Sequence, residues 1–257
     1  MRRNQRRSAR MTAVLIVALL CLVAQWFTTG QACVVPSLST PTNVLVPGSV
    51  TPAAVAVADF NFGGRPDLAV ADPENHRIFI MRGDGFGGFT LSSDHAVPRL
   101  RLDHDPIIVG DFNNDGFSDV AAGGGLLLNN GSGSFGAASL LPVRGATGLG
   151  AVSSVDFNRD GNLDLAITVS SNLNPPVAAR VSVLLGNGAG GFGPPIDSDL
   201  SAGDKEPVSI AVDDFDLDGK ADVAVSSITN QTSSEYSILL GSGAGSLSTA
   251  RPLGGRG

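Results

Sequence analysis

Four stretches of this chain crowd oxygen-bearing side chains into nine residues each. They are residues 59–67 (DFNFGGRPD), 111–119 (DFNNDGFSD), 156–164 (DFNRDGNLD) and 214–222 (DFDLDGKAD), here called loops 1 to 4. All read D-F-[ND]-x-x-G-x-x-D. Counting the first Asp as position 1, loop 4 carries acids at positions 1, 3, 5 and 9, Gly219 at position 6, and Lys220 at position 7, where its carbonyl is available. Hard oxygen ligands at this spacing, with Gly where the chain must turn sharply, are the pattern of a calcium loop. The candidate ligands are therefore Asp111, Asn113, Asp115, Asp119 and the carbonyl of Phe117 in loop 2; Asp156, Asn158, Asp160, Asp164 and the carbonyl of Asn162 in loop 3; and Asp214, Asp216, Asp218, Asp222 and the carbonyl of Lys220 in loop 4. Loop 1 offers Asp59, Asn61 and Asp67 and is one ligand short, because Gly63 stands at position 5.

The competing reading is an Asx-rich turn without metal, since Asp and Asn bond their own backbone readily. Against it stands the crowding itself, because three or four carboxylates repel one another unless a cation sits among them. The loops are not EF-hands. Position 12 is Val70, Ala122, Ile167 or Val225 instead of a bidentate Glu, and no flanking window has helical periodicity. Without that Glu, calcium affinity is expected in the weak extracellular range, about 10⁻⁴ to 10⁻³ M, and tighter in loop 4 with its extra carboxylate.

The loops begin 52, 45 and 58 residues apart, and their surroundings repeat as well. Short apolar stretches precede them (53–58, 107–109, 152–155, 208–212) and follow them (68–71, 120–122, 165–169, 223–225). A third stretch comes next (77–81, 126–128, 180–185, 236–240), then a Gly-rich turn, then a weaker fourth strand from near Phe89, Phe135, Phe192 and Leu247. Small apolar residues occupy both strand faces, as in 53–58 (AAVAVA), which suits sheets buried on both sides. With 33 Gly, 15 Pro and few aromatics, the composition fits many short strands and turns. The expected fold is all-β: a β-propeller of four-stranded antiparallel blades at about 51–98, 104–143, 148–199 and 205–253.

D-F-N-x-D-G-x-x-D-[LV]-A-V, followed about 20 residues on by V-x-L-L-G-N-G-x-G-x-F, resembles the FG-GAP/VCBS repeat, similar to the calcium-binding blades of the integrin α-chain propeller. The resemblance implies a secreted or cell-surface propeller with Ca²⁺ in the loop between the first two strands of a blade. Four repeats are fewer than such propellers usually carry. A four-bladed ring, an open or incomplete arc, and a partner in an oligomer that self-associates through edge strands all remain open. Val44-Leu45-Val46, in the stretch 33–50 ahead of the first repeat, reads as a leading strand.

The N-terminus reads as a targeting segment. Five Arg lie in the first ten residues, an uncharged run of 14 residues spans 11–24, and Gly30 and Ala32 suit a cleavage site, so residues 1–32 are expected to be a signal peptide and the protein to be secreted or on the cell surface. An uncleaved anchor and a lipid-modified Cys33 are the weaker alternatives. Cleavage removes Cys21 and leaves Cys33 alone, so no disulfide framework is expected. Setting those five Arg aside leaves 12 basic against 24 acidic residues, a balance that repels nucleic acid and anionic lipid.

His76, His95 and His104 are scattered, and no zinc spacing, nucleophile elbow or phosphate loop occurs, so no enzymatic activity is expected. Arg82-Gly83-Asp84 spells an adhesion tripeptide but falls on a Gly-rich turn of the repeat. Two readings follow: a calcium-stabilised, non-catalytic interaction or adhesion module, and a carbohydrate-binding propeller or accessory domain of a polysaccharide-processing enzyme. The scarcity of aromatics outside repeat positions favours the first.

Overall fold

The computed structural model describes residues 43–97, 106–143, 149–170, 178–200, 205–229, 233–249 and 251–253. The targeting segment expected over 1–32 lies outside them, as does Cys33.

Sixteen strands and no helix occur among the described residues. They form four separate sheets, each an antiparallel meander in chain order. Sheet 1 is β1 (Ala54–Ala58), β2 (Asp67–Asp72), β3 (Arg77–Gly83) and β4 (Phe89–Ala96). Sheet 2 is β5 (Ile107–Gly110), β6 (Asp119–Ala122), β7 (Gly125–Leu127) and β8 (Ser139–Leu140). Sheet 3 is β9 (Leu149–Val155), β10 (Asp164–Val169), β11 (Arg180–Leu184) and β12 (Ile196–Asp199), and sheet 4 is β13 (Lys205–Asp213), β14 (Asp222–Thr229), β15 (Ser233–Leu239) and β16 (Arg251–Leu253). This is the blade architecture expected from the repeats. The fourth strands differ in detail: Phe135, Phe192 and Leu247 make single bridges to Asn129, Gly186 and Gly241, and regular pairing resumes several residues later. Pro207 sits inside β13 at a register shift, where a residue without an N–H costs no ladder bond.

The sheets stack in sequence, first strand beside first strand: β1 by β5, β5 by β9, β9 by β13. Alternation of side chains gives each sheet two faces. The forward face of the second strand carries small residues: Ala69 and Ala71, Ala121, Ala166 and Thr168, Ala224 and Ser226. The back face carries mostly branched ones: Leu68 and Val70, Val120, then Leu165, Ile167 and Val169, then Val223 and Val225. Each forward face packs on the back face of the next sheet. One core joins sheets 1 and 2 around Ala69, Ile80, Val120 and Leu127. A second joins sheets 2 and 3 around Ala121, Leu126, Leu165 and Ile167, and a third joins sheets 3 and 4 around Ala166, Val183, Val223 and Val225. The small fourth core, on Val70, Phe79 and Met81, backs sheet 1 alone. Among the described residues no core joins sheet 4 to sheet 1, so the stack is an open arc.

Residues 44–46 do not form the leading strand expected of them. Val46 instead packs on the back face of sheet 1, and the segment is pinned by buried Asp72. Asp72 Oδ2 accepts from Ser49 Oγ and Val50 N, both at 2.6 Å, and from Thr51 N at 3.3 Å, and Oδ1 accepts from Asn75 N at 3.1 Å. Burial opposes ionisation of Asp72, but these hydrogen bonds together outweigh it and hold the carboxyl well below the usual carboxylate range.

Candidate metal centre

All four loops connect the first strand of a sheet to its second, and they share one backbone shape. Position 4 is left-handed at Phe62, Asn114, Arg159 and Leu217 (φ 56–63°), and so is position 6 at Gly64, Gly116, Gly161 and Gly219 (φ 73–87°). A left-handed position is nearly free for Gly and costs other residues energy, which accounts for the Gly at position 6.

That shape turns the position-1 carboxylate back over the loop. In loop 4, Asp214 Oδ1 accepts from Asp218 N at 3.1 Å and Oδ2 from Gly219 N at 2.7 Å. Loops 2 and 3 repeat this with Asp111 and Asp156, at 3.1 and 2.8 Å in each. The position-5 carboxylate accepts from the position-7 N–H: Asp115 from Phe117, Asp160 from Asn162, Asp218 from Lys220. In loop 4 the carboxylate oxygens of Asp214, Asp216 and Asp218 come within 4.8 Å of one another. In loops 2 and 3 the position-3 amide donates to the position-5 carboxylate, Asn113 Nδ2 to Asp115 and Asn158 Nδ2 to Asp160. The structure therefore brings together positions 1, 3 and 5 in loops 2, 3 and 4, at the exposed mouth of each loop.

Position 9 plays a different part. Asp67, Asp119, Asp164 and Asp222 are buried beneath the loops. Each spans two main-chain N–H groups, one from the position-2 Phe and one from the end of the third strand. For Asp164 these are Phe157 N and Gly186 N, both at 2.8 Å. For Asp119 they are Phe112 N at 2.9 Å and Asn129 N at 2.8 Å. Asp222 brackets Phe215 N and Gly241 N, and Asp67 brackets Phe60 N and Gly83 N. Position 9 is thus a bracket holding the blade, and on Asp119, Asp164 and Asp222 one acceptor direction is left on each oxygen. Burial, with smaller contributions from Asp115 and Asp111, pushes the Asp119 carboxyl up to about 6 against the pull of its two N–H donors. Burial raises Asp164 in the same way. A divalent cation among these acids would remove that penalty, and an all-oxygen donor set suits calcium.

Two features depart from the sequence expectation. Lys220, read for its carbonyl, also places Nζ on Asp218 Oδ2, so an ammonium already sits beside the loop 4 acids. That hydrogen bond lowers Asp218 and raises Lys220. In loop 1, Asn61 Nδ2 turns to Asp67 at 2.9 Å, and a Cβ at Gly63 would meet Asn61 Oδ1 at 2.4 Å. Asn61 fills the space of the missing position-5 side chain, so loop 1 is closed on itself as well as a ligand short.

Position 7 has a second use that spacing did not reveal. Its side chain lies over the first left-handed Gly of the turn after the third strand: Arg65 on Gly85, Phe117 on Gly131, Asn162 on Gly188, Lys220 on Gly243. All four glycines are left-handed, and a Cβ there would stand 3.2 Å or less from the covering side chain. The Arg82-Gly83-Asp84 stretch is part of this turn. Asp84 Oδ1 accepts from Phe86 N at 2.7 Å and from Gly88 N at 2.9 Å, as expected of a turn.

An open stack of four-stranded blades, each headed by an acidic turn, defines a β-propeller repeat protein with candidate cation loops. Residues 59–122, spanning loops 1 and 2, match the family described as FG-GAP-like repeat. No curated protein matches the chain by sequence. Among solved structures it is similar to BBS1N in complex with ARL6DN (18% identity, TM-score 0.46), covering 78% of this chain and 56% of that one. It is also similar to the V. cholerae biofilm matrix protein Bap1 (17% identity, TM-score 0.41), covering 81% of this chain and 41% of that one. The chain thus spans about half the length of these proteins or less.

Proposed function

We propose that this chain is an exported, non-catalytic interaction module whose blades are stabilised by calcium at loops 2, 3 and 4. The observation that carries the reading is the recurrence of one loop geometry in three successive blades, with positions 1, 3 and 5 converging above a buried position-9 carboxylate. In loops 2 and 3 the Asn113 and Asn158 amides, and in loop 4 the Lys220 ammonium, face the acids at the place where a cation would sit. Asp111, Asp156 and Asp214 are held ready by two main-chain N–H groups each.

Export rests on the Arg-rich start, the apolar run and the Gly30-x-Ala32 stretch, and an adhesive or scaffolding role follows from the FG-GAP resemblance. The acidic body points away from nucleic acid as a partner. Calorimetric titration with Ca²⁺ tests the metal reading: three sites of about 10⁻⁴ to 10⁻³ M are expected. Binding of no calcium, or equal binding after Asp115, Asp160 and Asp218 are all changed to Ala, would reduce the loops to ordinary turns. N-terminal sequencing of the exported protein, expected to start at or near Cys33, tests the targeting reading.

A further inference from the structure

Position 4 supplies no candidate ligand in any loop, yet its backbone is left-handed. Phe62, Asn114 and Arg159 stand at φ 56, 58 and 63°. Asn tolerates that conformation, whereas a bulky ring is an outlier there. Phe62 is moreover 72% exposed, so burial does not account for it. What these three residues share is a contact on the loop of the next sheet. The ring of Phe62 meets the ring of Phe117, centroids 5.5 Å apart and nearly perpendicular at 87°. Asn114 Nδ2 donates to Asn162 Oδ1 at 2.7 Å. The Arg159 guanidinium donates to the carbonyl of Gly219. Phe117 and Asn162 are position 7 of loops 2 and 3, the position whose carbonyl is a candidate ligand, and Gly219 is position 6 of loop 4.

Positions 5 and 6 are locked from within each loop. In loop 2, Asp115 N donates to both Asp111 Oδ1 and Asn113 Oδ1, and Gly116 N to Asp111 Oδ2. Loop 3 repeats the set with Asp160, Asp156, Asn158 and Gly161. Position 7 is tied to its own loop by its N–H, which the position-5 carboxylate accepts. Its side chain is clamped from outside the loop. A Cβ at Gly188 would stand 2.3 Å from Asn162 Oδ1 and 2.6 Å from Asn114 Nδ2, so the glycine and the neighbouring loop hold the amide between them. The Phe117 ring is held in the same way between Gly131 and Phe62. Fixing the side chain at position 7 limits the directions its carbonyl can take.

We propose that position 4 of each loop is a positioning residue for the cation site of the next: Phe62 for loop 2, Asn114 for loop 3 and Arg159 for loop 4. The proposal rests on the calcium reading of these loops. A ligand already held by an outer partner need not be ordered when the metal arrives, and losing that partner weakens binding. Loop 1 thereby gains a use. It is a ligand short and closed on itself, and it still presents Phe62 to loop 2. At loop 4 the strut is itself a cation, so Arg159 holds the turn and repels a metal at once. The two neutral struts therefore give the plainer test.

That test reads each site separately. The amides of Gly116, Gly161 and Gly219 each donate to the position-1 carboxylate of their own loop, so each reports on its own site. Proton–nitrogen NMR spectra of the labelled full chain in mild detergent, titrated with Ca²⁺, then give a midpoint for every loop. Asn114→Gly and Phe62→Gly suit the left-handed backbone and remove only the side chain. Asn114→Gly is expected to raise the Gly161 midpoint about 2- to 10-fold, the factor that one net hydrogen bond supplies. The Gly116 midpoint, in the mutated loop itself, is expected to stay in place. Phe62→Gly is expected to raise the Gly116 midpoint by a similar factor and to leave Gly161 alone. A purely local role for position 4 would move the mutated loop instead, so a shift of Gly116 without Gly161 in Asn114→Gly overturns the proposal. Midpoints unmoved in both variants overturn it too, as do midpoints that all move together, which indicate a general loosening of the fold. In each of these outcomes the glycine amides still answer calcium, and the calcium reading stands. Glycine amides that do not respond to Ca²⁺ in the wild type would sink that reading and this proposal with it.

Discussion

The bracket under each loop and the acids above it can be separated by mutation. Asp164→Ala leaves Phe157 N and Gly186 N buried without their acceptor, and each orphaned donor costs about 1–3 kcal/mol. Part of that is returned, because the buried carboxylate, whose pKa burial raises, is gone. The net loss is placed at about 2–4 kcal/mol, which lowers the melting temperature of a domain this size by roughly 4–16 °C. Asp160→Ala, at the exposed mouth of the same loop, removes an acceptor that water can replace, and costs about 0.5 kcal/mol or less without metal. Both variants are unfolded with urea in EGTA and followed by far-UV circular dichroism. Asp164→Asn, which keeps one oxygen, falls between them. Equal losses from Asp164→Ala and Asp160→Ala in EGTA would refute the division of labour between position 9 and position 5.

Two further outcomes follow from the same geometry. Lys220→Met removes the ammonium from Asp218 and is expected to raise calcium affinity at loop 4 while leaving loops 2 and 3 unchanged; calorimetric titration of the variant reads this, and an unchanged or weaker loop 4 site would count against competition by the lysine. Asp72 has its carboxyl lowered in the fold from an ordinary value of 3.8, so its contribution is fully present above pH of about 4 and is lost as pH falls below that toward the folded value. Hydrogen exchange at Val50 and Thr51 is therefore expected to be slow at pH 5 and, after correction for intrinsic rates, less protected at pH 3, with Asp72→Ala exposing both amides already at pH 7.

Much of this was legible in the sequence because the repeats are local. The D-F-[ND]-x-x-G-x-x-D pattern places each loop between two strands, and the Ala/Val strands announce sheets buried on both faces. The Phe at position 2 of every repeat suits packing between blades, which holds for Phe60, Phe112 and Phe157 and not for Phe215, since nothing in the spacing says which repeat has no neighbour in an open stack. Spacing offers position 9 as one more ligand and is silent on its role as a bracket. Its two N–H partners stand 7 and 22 residues away in loop 3, the second at the end of a different strand, and a carboxylate's donors are not written beside it. The calcium pattern counts only oxygens and so does not register the Lys220 ammonium on Asp218. The contacts from Asn114 to Asn162 and from Arg159 to Gly219 join residues 48 and 60 apart, so loops that look independent in sequence touch in the fold. The strand expected at 44–46 was an apolar triplet with no partner to pair with, and burying Val46 on sheet 1 serves it instead.

The central claim, that calcium is part of this fold, is tested most directly by the melting temperature of the wild-type chain against Ca²⁺ concentration, with EGTA as zero. Each filled site adds about 2.7 kcal/mol at 100 times its Kd. With three sites in the weak extracellular range, stability is expected to climb through the millimolar range and to climb less when Asp218→Ala removes loop 4. A melting temperature that stays flat from EGTA to saturating calcium would contradict the account.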